Sequence, residues 1–215
     1  YEKKSPVNPY VFMKKLFEGL EENDIVVTGN GSACVVSFQA AEIKKGQRLF
    51  TNSGCASMGY GLPAALGACI AEGEKRVICL DGDGSLMMNL QELQTIRYNN
   101  CNMKLFVLNN NGYHSIRQTQ NNLFKNGLVG VCDGNGVNFP PFDKLADTFG
   151  FRYFKIDSLD GIEEKLQEVL NTDGPVLCEA ILDEAQNFAP KLSSKVLPDG
   201  KIVSPPIDDM FPFLD

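Results

Sequence analysis

An aspartate set between glycines, Gly82-Asp83-Gly84-Ser85, is answered 27 positions after Asp83 by Asn110, the second residue of an Asn-Asn pair. A carboxylate and an amide oxygen are hard donors of the kind that magnesium collects, about six of them in an octahedron. A main-chain carbonyl in the loop beyond, assigned to Gly112, makes a third donor. Two diphosphate oxygens and one water would complete the shell. Gly82 and Gly84 let the backbone approach phosphates closely and turn sharply. A helix opening at Ser85 would point free N–H groups at the same anion. The chemistry suited to these residues is the holding of a diphosphate through a divalent cation.

The flanking runs must bring the two halves together. Arg76 to Leu80 reads as a buried strand, and Met87, Leu90, Leu93 and Ile96 mark one face of a helix after it. Met103 to Leu108 is a second buried strand and ends at Asn109-Asn110. As parallel neighbours the two strands place Asp83 and Asn110 at one sheet edge, outside the carboxyl ends, where open α/β sheets bind ligands. A strand from Asp24 to Thr28 leads into Gly29-Asn30-Gly31-Ser32, a turn of the kind that cradles phosphate.

The rest of the chain repeats the alternation. Strands are expected near 25–28, 47–51, 76–81, 103–108, 151–156 and 175–182. Helices are expected near 9–22, 33–42, 60–72, 85–99, 142–149 and 158–171, the first capped by Asn8 with Pro9 in its first turn and with Val11, Leu16 and Leu20 inward. Repeated β-then-α units predict an α/β fold, a mainly parallel sheet with helices on both faces. Residues 127–141 read as loop. Residues 1–186 form the expected diphosphate-binding domain; 187–215, with Pro198, Pro205, Pro206 and Pro212, form an extended tail packing on that domain or on a partner.

GDGS, the helix MMNLQELQTI and VLNNNGY, with 24 residues between Gly84 and Asn109, resemble the thiamine-diphosphate signature of the pyruvate decarboxylase and acetolactate synthase family. The resemblance implies the thiamine-diphosphate-binding fold, with magnesium on Asp83, Asn110 and the Gly112 carbonyl. Asn52 to Ala68, NSGCASMGYGLPAALGA, is similar to the family's segment around the aminopyrimidine ring. There Met58, 25 positions before Asp83, matches the apolar residue that wedges between the two rings and bends the cofactor into a V. Main-chain groups of Ala56 and Met58 would bond the aminopyrimidine edge. Gly59, Gly61, Ala64, Ala65, Gly67 and Ala68 read as a close-packing helix. In the family the 29–32 loop reaches the diphosphate, which adds Gly29, Asn30, Gly31 and Ser32 to Gly82, Asp83, Gly84, Ser85, Asn110 and Gly112 as cofactor-binding residues, with Tyr113 and Ile116 beside them. Acetolactate synthases carry Gln-His-Gln where this chain has Ser32-Ala33-Cys34, so the loop is expected in place while its contacts stay open.

The implied activity is decarboxylation of a 2-oxo acid such as pyruvate and transfer of the two-carbon unit to a second carbonyl. The implied partner is a pyrimidine-binding domain, in the same gene or a separate subunit, that brings a glutamate to the aminopyrimidine across a homodimer or homotetramer interface; no segment here plays that part. The family also allows FAD in a middle domain absent from this chain. Tyr at position 1 suggests an excised or processed piece, and the diphosphate-binding half of a two-subunit 2-oxo acid decarboxylase, or a non-catalytic module, is the alternative. Residues 113–120 should line the substrate side. Thr119 stands where acetolactate synthases have tryptophan, and this chain has no Trp, which favours a carboligase of another pathway, one acting on a sugar nucleotide among them. His114, the only histidine, reads either as a surface helix residue or as a proton-transfer group. Arg117 reads either as an anion binder or as an exposed helical arginine.

Composition bounds the alternatives. The 215 residues suffice for one large α/β domain. A net charge of −7 with no basic stripe argues against nucleic acid, and no apolar run approaches the ~20 residues of a membrane span. Seven cysteines at 34, 55, 69, 79, 101, 132 and 178 form no CxxC pair, which points away from an iron–sulfur subunit and towards the reducing cytoplasm. A nicotinamide-binding domain would need G-x-G-x-x-G after its first strand, and the chain lacks it.

Overall fold

The unbroken apolar runs become inner strands of one parallel sheet. The computed structural model describes residues 4–73, 75–124, 127–192 and 194–210. Six strands, β1 (Ile25–Thr28), β2 (Arg48–Phe50), β3 (Val77–Gly82), β4 (Met103–Asn109), β5 (Arg152–Ile156) and β6 (Val176–Ile181), lie in the order β2-β1-β3-β4-β6-β5, all parallel. The helices are α1 (Pro9–Gly19), α2 (Ser32–Ala40), α3 (Gly61–Glu72), α4 (Asp83–Leu86), α5 (Glu92–Tyr98), α6 (His114–Leu123), α7 (Phe142–Phe149) and α8 (Ile162–Asn171). The α/β expectation holds, with helices on both faces.

Strand side chains alternate between two apolar cores, as a pleat requires. Val26, Ile78, Leu80, Phe106 and Leu108 meet Phe12, Met13, Leu16 and Phe17 of α1 and Leu166 and Val169 of α8. Val27, Val77, Cys79, Leu105 and Val107 meet Leu62 and Ala65 of α3, Leu93 and Ile96 of α5, and Leu145 of α7. Chain order runs outward from β1 to β2 and from β3 to β4, so the switch point lies between β1 and β3. A crevice opens there at the carboxyl ends, where such sheets bind ligands.

The boundaries show where tertiary packing overrides pattern. Asn8 caps α1, accepting from the N–H groups of Tyr10 and Val11, but the helix ends at Gly19, and its buried stripe is Phe12, Met13, Leu16 and Phe17 rather than one through Val11. The expected helix 85–99 is three pieces: α4, a 3₁₀ turn at Met87–Asn89, and α5. Its inward residues are Leu86, Leu93 and Ile96; Met87 and Leu90 are only half-buried. The helix α6 lies outside the six expected helix ranges, in line with the helical alternative for His114 and Arg117. Helix α8 starts at Ile162, after the turn at Gly161.

Residues 127–141 contain no helix or strand, yet Val131 is buried and its carbonyl accepts from Tyr113 N–H at 2.8 Å. Past β6 the chain crosses back over the site. Phe188 is buried against His114, and Gln118 donates to Asn187 at 2.7 Å. A two-residue antiparallel pairing follows, β7 (Lys195–Val196) with β8 (Ile202–Val203). Tyr1 and the tail beyond 210, with Pro212, lie outside the described residues.

Candidate functional site

The crevice gathers residues from three strand ends. Its lining is Asn30, Gly31 and Ser32 after β1; Gly82, Asp83, Gly84 and Ser85 after β3; Asn110, Gly112, Tyr113, His114, Ser115 and Ile116 after β4; and Met58 from the loop before α3. Twelve of the fourteen residues expected to bind cofactor therefore converge, and His114 joins them. Gly29 and Ala56 do not line it. Gly29 donates its N–H to the Leu80 carbonyl and lies directly over the Asp81 carboxylate. Ala56 sits exposed at positive φ, its N–H bonded to the Asn52 carbonyl.

Asp83 is 1% exposed. Its two oxygens accept from Gly84 N–H at 2.8 Å and Gly112 N–H at 2.9 Å. Burial pushes its carboxyl up to about 6, against the lowering effect of those N–H groups, Arg117 and the Asn110 N–H. The short helix α4 thus opens at Asp83, not Ser85, and the Gly84 N–H is used within the protein. Asn110 donates its side-chain N–H to the Ser32 hydroxyl at 3.1 Å, while its Oδ1 is buried with no partner among the described residues. A buried carbonyl oxygen left unpaired costs about 1–3 kcal/mol. The unpaired oxygen fits the chemistry of a cation ligand. Gly112 must be glycine: its φ is +132°, and a Cβ would lie 1.9 Å from the Val131 carbonyl oxygen. No group of three or more His, Cys, Asp or Glu side chains among the described residues is arranged to hold a metal alone. One carboxylate, one amide and one carbonyl leave half of an octahedron to a ligand's own oxygens and water.

The Met58 loop is pinned to this floor. Gly59 N–H donates to the Ser85 hydroxyl at 3.0 Å, and Asn89 donates to the Gly59 carbonyl at 2.6 Å. Residues 53–58 are otherwise exposed, and Met58 and Ile116, which line the opening, are 40% and 44% exposed. The cavity itself is about 70 Å³. Pockets that enclose a drug-sized ligand run to roughly 300–1,000 Å³. It has room for a cation and a few oxygens, with anything larger extending over the exposed loop.

His114 is buried rather than on the surface, its ring edge-on to Phe188 with centroids 5.2 Å apart. Arg117 Nη2 lies 3.3 Å from its Nδ1 and Gln118 Nε2 lies 2.8 Å from its Nε2. Burial and the charges of Arg117 and Lys191 push the imidazole down to about 4, a main-chain contact from Gln186 opposing, so it is neutral at neutral pH.

Three features escape a pattern search. Arg117 is buried, not exposed, and bonds the loop's own carbonyls. Glu179 accepts from Asn109 at 2.7 Å and from Tyr153 at 2.5 Å, and Asn109 Oδ1 in turn accepts from Asn111 N–H at 3.0 Å. Asp81, directly below the Gly29 backbone, has one unpaired oxygen, and burial pushes its carboxyl up to about 7. The signal available for Asp81 was a charge ending an apolar strand run.

Residues 29–180 match the family model described as thiamine pyrophosphate enzyme, C-terminal TPP binding domain. Similar curated proteins include acetolactate synthase isozyme 1 large subunit of Escherichia coli (29% identical over 86% of this chain and 32% of that protein) and acetolactate synthase isozyme 2 large subunit of the same species (33%, over 84% and 32%). Acetolactate synthase 1, chloroplastic, of Nicotiana tabacum is 31% identical over 87% of this chain and 29% of its own length. The chain spans about a third of these relatives. A match over most of its length, spanning the strand ends that build the crevice, makes this chain a member of the thiamine pyrophosphate enzyme family and the bearer of its C-terminal TPP binding domain.

Proposed function

We propose that this chain is the thiamine-diphosphate- and magnesium-binding part of an acetolactate-synthase-like enzyme that decarboxylates a 2-oxo acid such as pyruvate and passes the two-carbon unit to a second carbonyl. The observation that carries the reading is the orphaned Asn110 Oδ1 beside the buried Asp83, at the mouth of a switch-point crevice. Asp83, Asn110 and the Gly112 carbonyl would hold the cation, and the 29–32 and 82–85 turns would take the diphosphate. The cofactor, when bound, supplies an electron sink for the carbanion left by decarboxylation. Met58 would set its bend. Tyr113, His114 and Ile116 would wall the substrate side. His114, neutral and enclosed, would hold shape and exclude water rather than relay protons.

The proton chemistry would come from a pyrimidine-binding domain. Supporting this, two of the residues lining the cavity, Met58 and Ile116, are large, apolar and exposed, of the kind that marks an interaction surface. A homodimer or homotetramer would supply the cover. The seven free thiols support a reducing compartment such as the cytoplasm. Among the described residues no helix is long and apolar enough to cross a membrane.

The test is reconstitution. The full-length protein with thiamine diphosphate and magnesium should consume pyruvate or a related 2-oxo acid, and these 215 residues alone should not. Adding the pyrimidine-binding domain should restore turnover; adding it with its glutamate changed to glutamine should not. Turnover by the chain alone would overturn the division of labour.

A further inference from the structure

Arg117 lies in the first turn of α6, directly after the loop that carries Asn110 and Gly112, and helical side chains lean back towards the N-terminus. The guanidinium is buried at 7% exposure. Its Nη2 donates to the Asn110 carbonyl at 2.7 Å, and its Nη1 lies 3.4 Å from the Asn111 carbonyl and donates to Glu184 at 3.1 Å. Asn110 is thereby held at nearly every polar atom. Its carbonyl accepts from Arg117, its side-chain N–H donates to Ser32, and its main-chain N–H faces the Asp83 carboxylate. The remaining atom is the unpaired Oδ1.

We propose that Arg117 is a positioning residue for metal binding, clamping the Asn110–Asn111 main chain so that Asn110 Oδ1 stays aimed at the cation, while Glu184 balances the charge that would otherwise stand beside it. The inference rests on reading Asp83, Asn110 and Gly112 as the metal ligands. It assigns a task to the segment after β6: Glu184 ties the 183–188 crossing to the metal loop, so the two are ordered together. The planar, rigid fork of a guanidinium sets the spacing of its donors to the Asn110 and Asn111 carbonyls and Glu184, a fixed geometry that an ammonium on a flexible stem does not reproduce.

The experiment uses the full-length protein and manganese as the probe, with free Mn²⁺ read by electron paramagnetic resonance in the presence of thiamine diphosphate. Arg117→Met and Arg117→Lys should each weaken Mn²⁺ binding by about tenfold or more, the usual loss when a group supporting a metal ligand is removed. Activity should return towards wild type at saturating magnesium, a recovery that general misfolding would not allow. Thermal melting without metal identifies a variant that fails to fold, and Arg117→Lys, which keeps the charge and most of the volume, is the safeguard. Wild-type Mn²⁺ affinity in a folded Arg117→Lys or Arg117→Met overturns the inference. Asp83→Ala, run in parallel, separates the two ideas. If it too binds Mn²⁺ normally, the ligand assignment fails; if it alone loses the metal, only the role of Arg117 fails.

Discussion

Replacing Asp83 by alanine should remove the metal and leave the fold. The carboxyl is pushed from an ordinary 3.8 up to about 6, which corresponds to about 3 kcal/mol of strain in the ionised, metal-free protein at neutral pH. Alanine relieves that strain. It also leaves the Gly84 and Gly112 N–H groups without their acceptor, at about 1–3 kcal/mol each, with the lower figure favoured because both border an open cavity. The two effects nearly cancel, so the melting temperature of the metal-free protein should move by less than about 8 °C in either direction. Metal affinity should behave differently. Loss of a supporting group costs about 10–100-fold, and loss of the only carboxylate among three proposed donors should exceed that. Calorimetric titration of the full-length protein with thiamine diphosphate and magnesium is the assay. Unchanged affinity would refute the placing of Asp83 in the site, and an unfolded variant would refute the cancellation.

The pH dependence follows from the same carboxyl. Its folded value lies above its unfolded value, so its contribution to metal-free stability is full below about pH 4 and is lost as pH rises through about 6. The metal needs the ionised form, which falls from about nine-tenths at pH 7 to about one-tenth at pH 5, so magnesium-dependent cofactor binding should weaken about tenfold between them; a flat profile in titrations at the two pH values would contradict this. Gly112→Ala forces a Cβ to within 1.9 Å of the Val131 carbonyl oxygen at a φ of +132°, and should abolish metal binding and lower the melting temperature by several degrees. Met58→Ala, at a side chain 40% exposed, should leave stability within about 1 kcal/mol while reducing turnover more than diphosphate affinity; equal turnover would return Met58 to a packing role.

What could be read in the sequence was what one local pattern decides. The strand β3 opens on a continuous apolar run and β4 is apolar apart from Lys104, because both faces are covered, and the turns at their ends carry glycine, aspartate and asparagine, which made the Asp83–Asn110 pairing legible. Helix α6 was not legible. Its buried residues are His114, Arg117 and Gln118, which face a polar network and a returning tail rather than an apolar core, so it shows no apolar period. The helix expected at 85–99 is broken at the Met87–Asn89 turn, where Asn89 donates to the Gly59 carbonyl, and of the expected face only Leu93 and Ile96 are buried. Arg117 stayed open between an anion binder and an exposed helical arginine, since nothing in a one-dimensional pattern shows that the residues after β6 return to it.

The charge pattern explains why the cation is central to the proposed site. Among the described residues no lysine or arginine lines the crevice, and its one histidine is neutral. A diphosphate entering it would meet the Asp83 carboxylate, with Asp81 ionising behind it near neutral pH. Main-chain N–H groups offset part of that repulsion, but those of Gly84 and Gly112 already serve Asp83. Nor can Arg117 provide the counter-charge, being turned towards Asn110, Asn111 and Glu184. A divalent cation between Asp83 and the diphosphate resolves both problems at once: it ionises the buried carboxyl without strain and gives the anion its counter-charge. On this arrangement cation and cofactor strengthen each other's binding by the same factor, as linkage requires. On the proposed reading, the buried, strained carboxylate and the orphaned amide oxygen would be the cost, in the metal-free protein, of a site built for two ligands that arrive together.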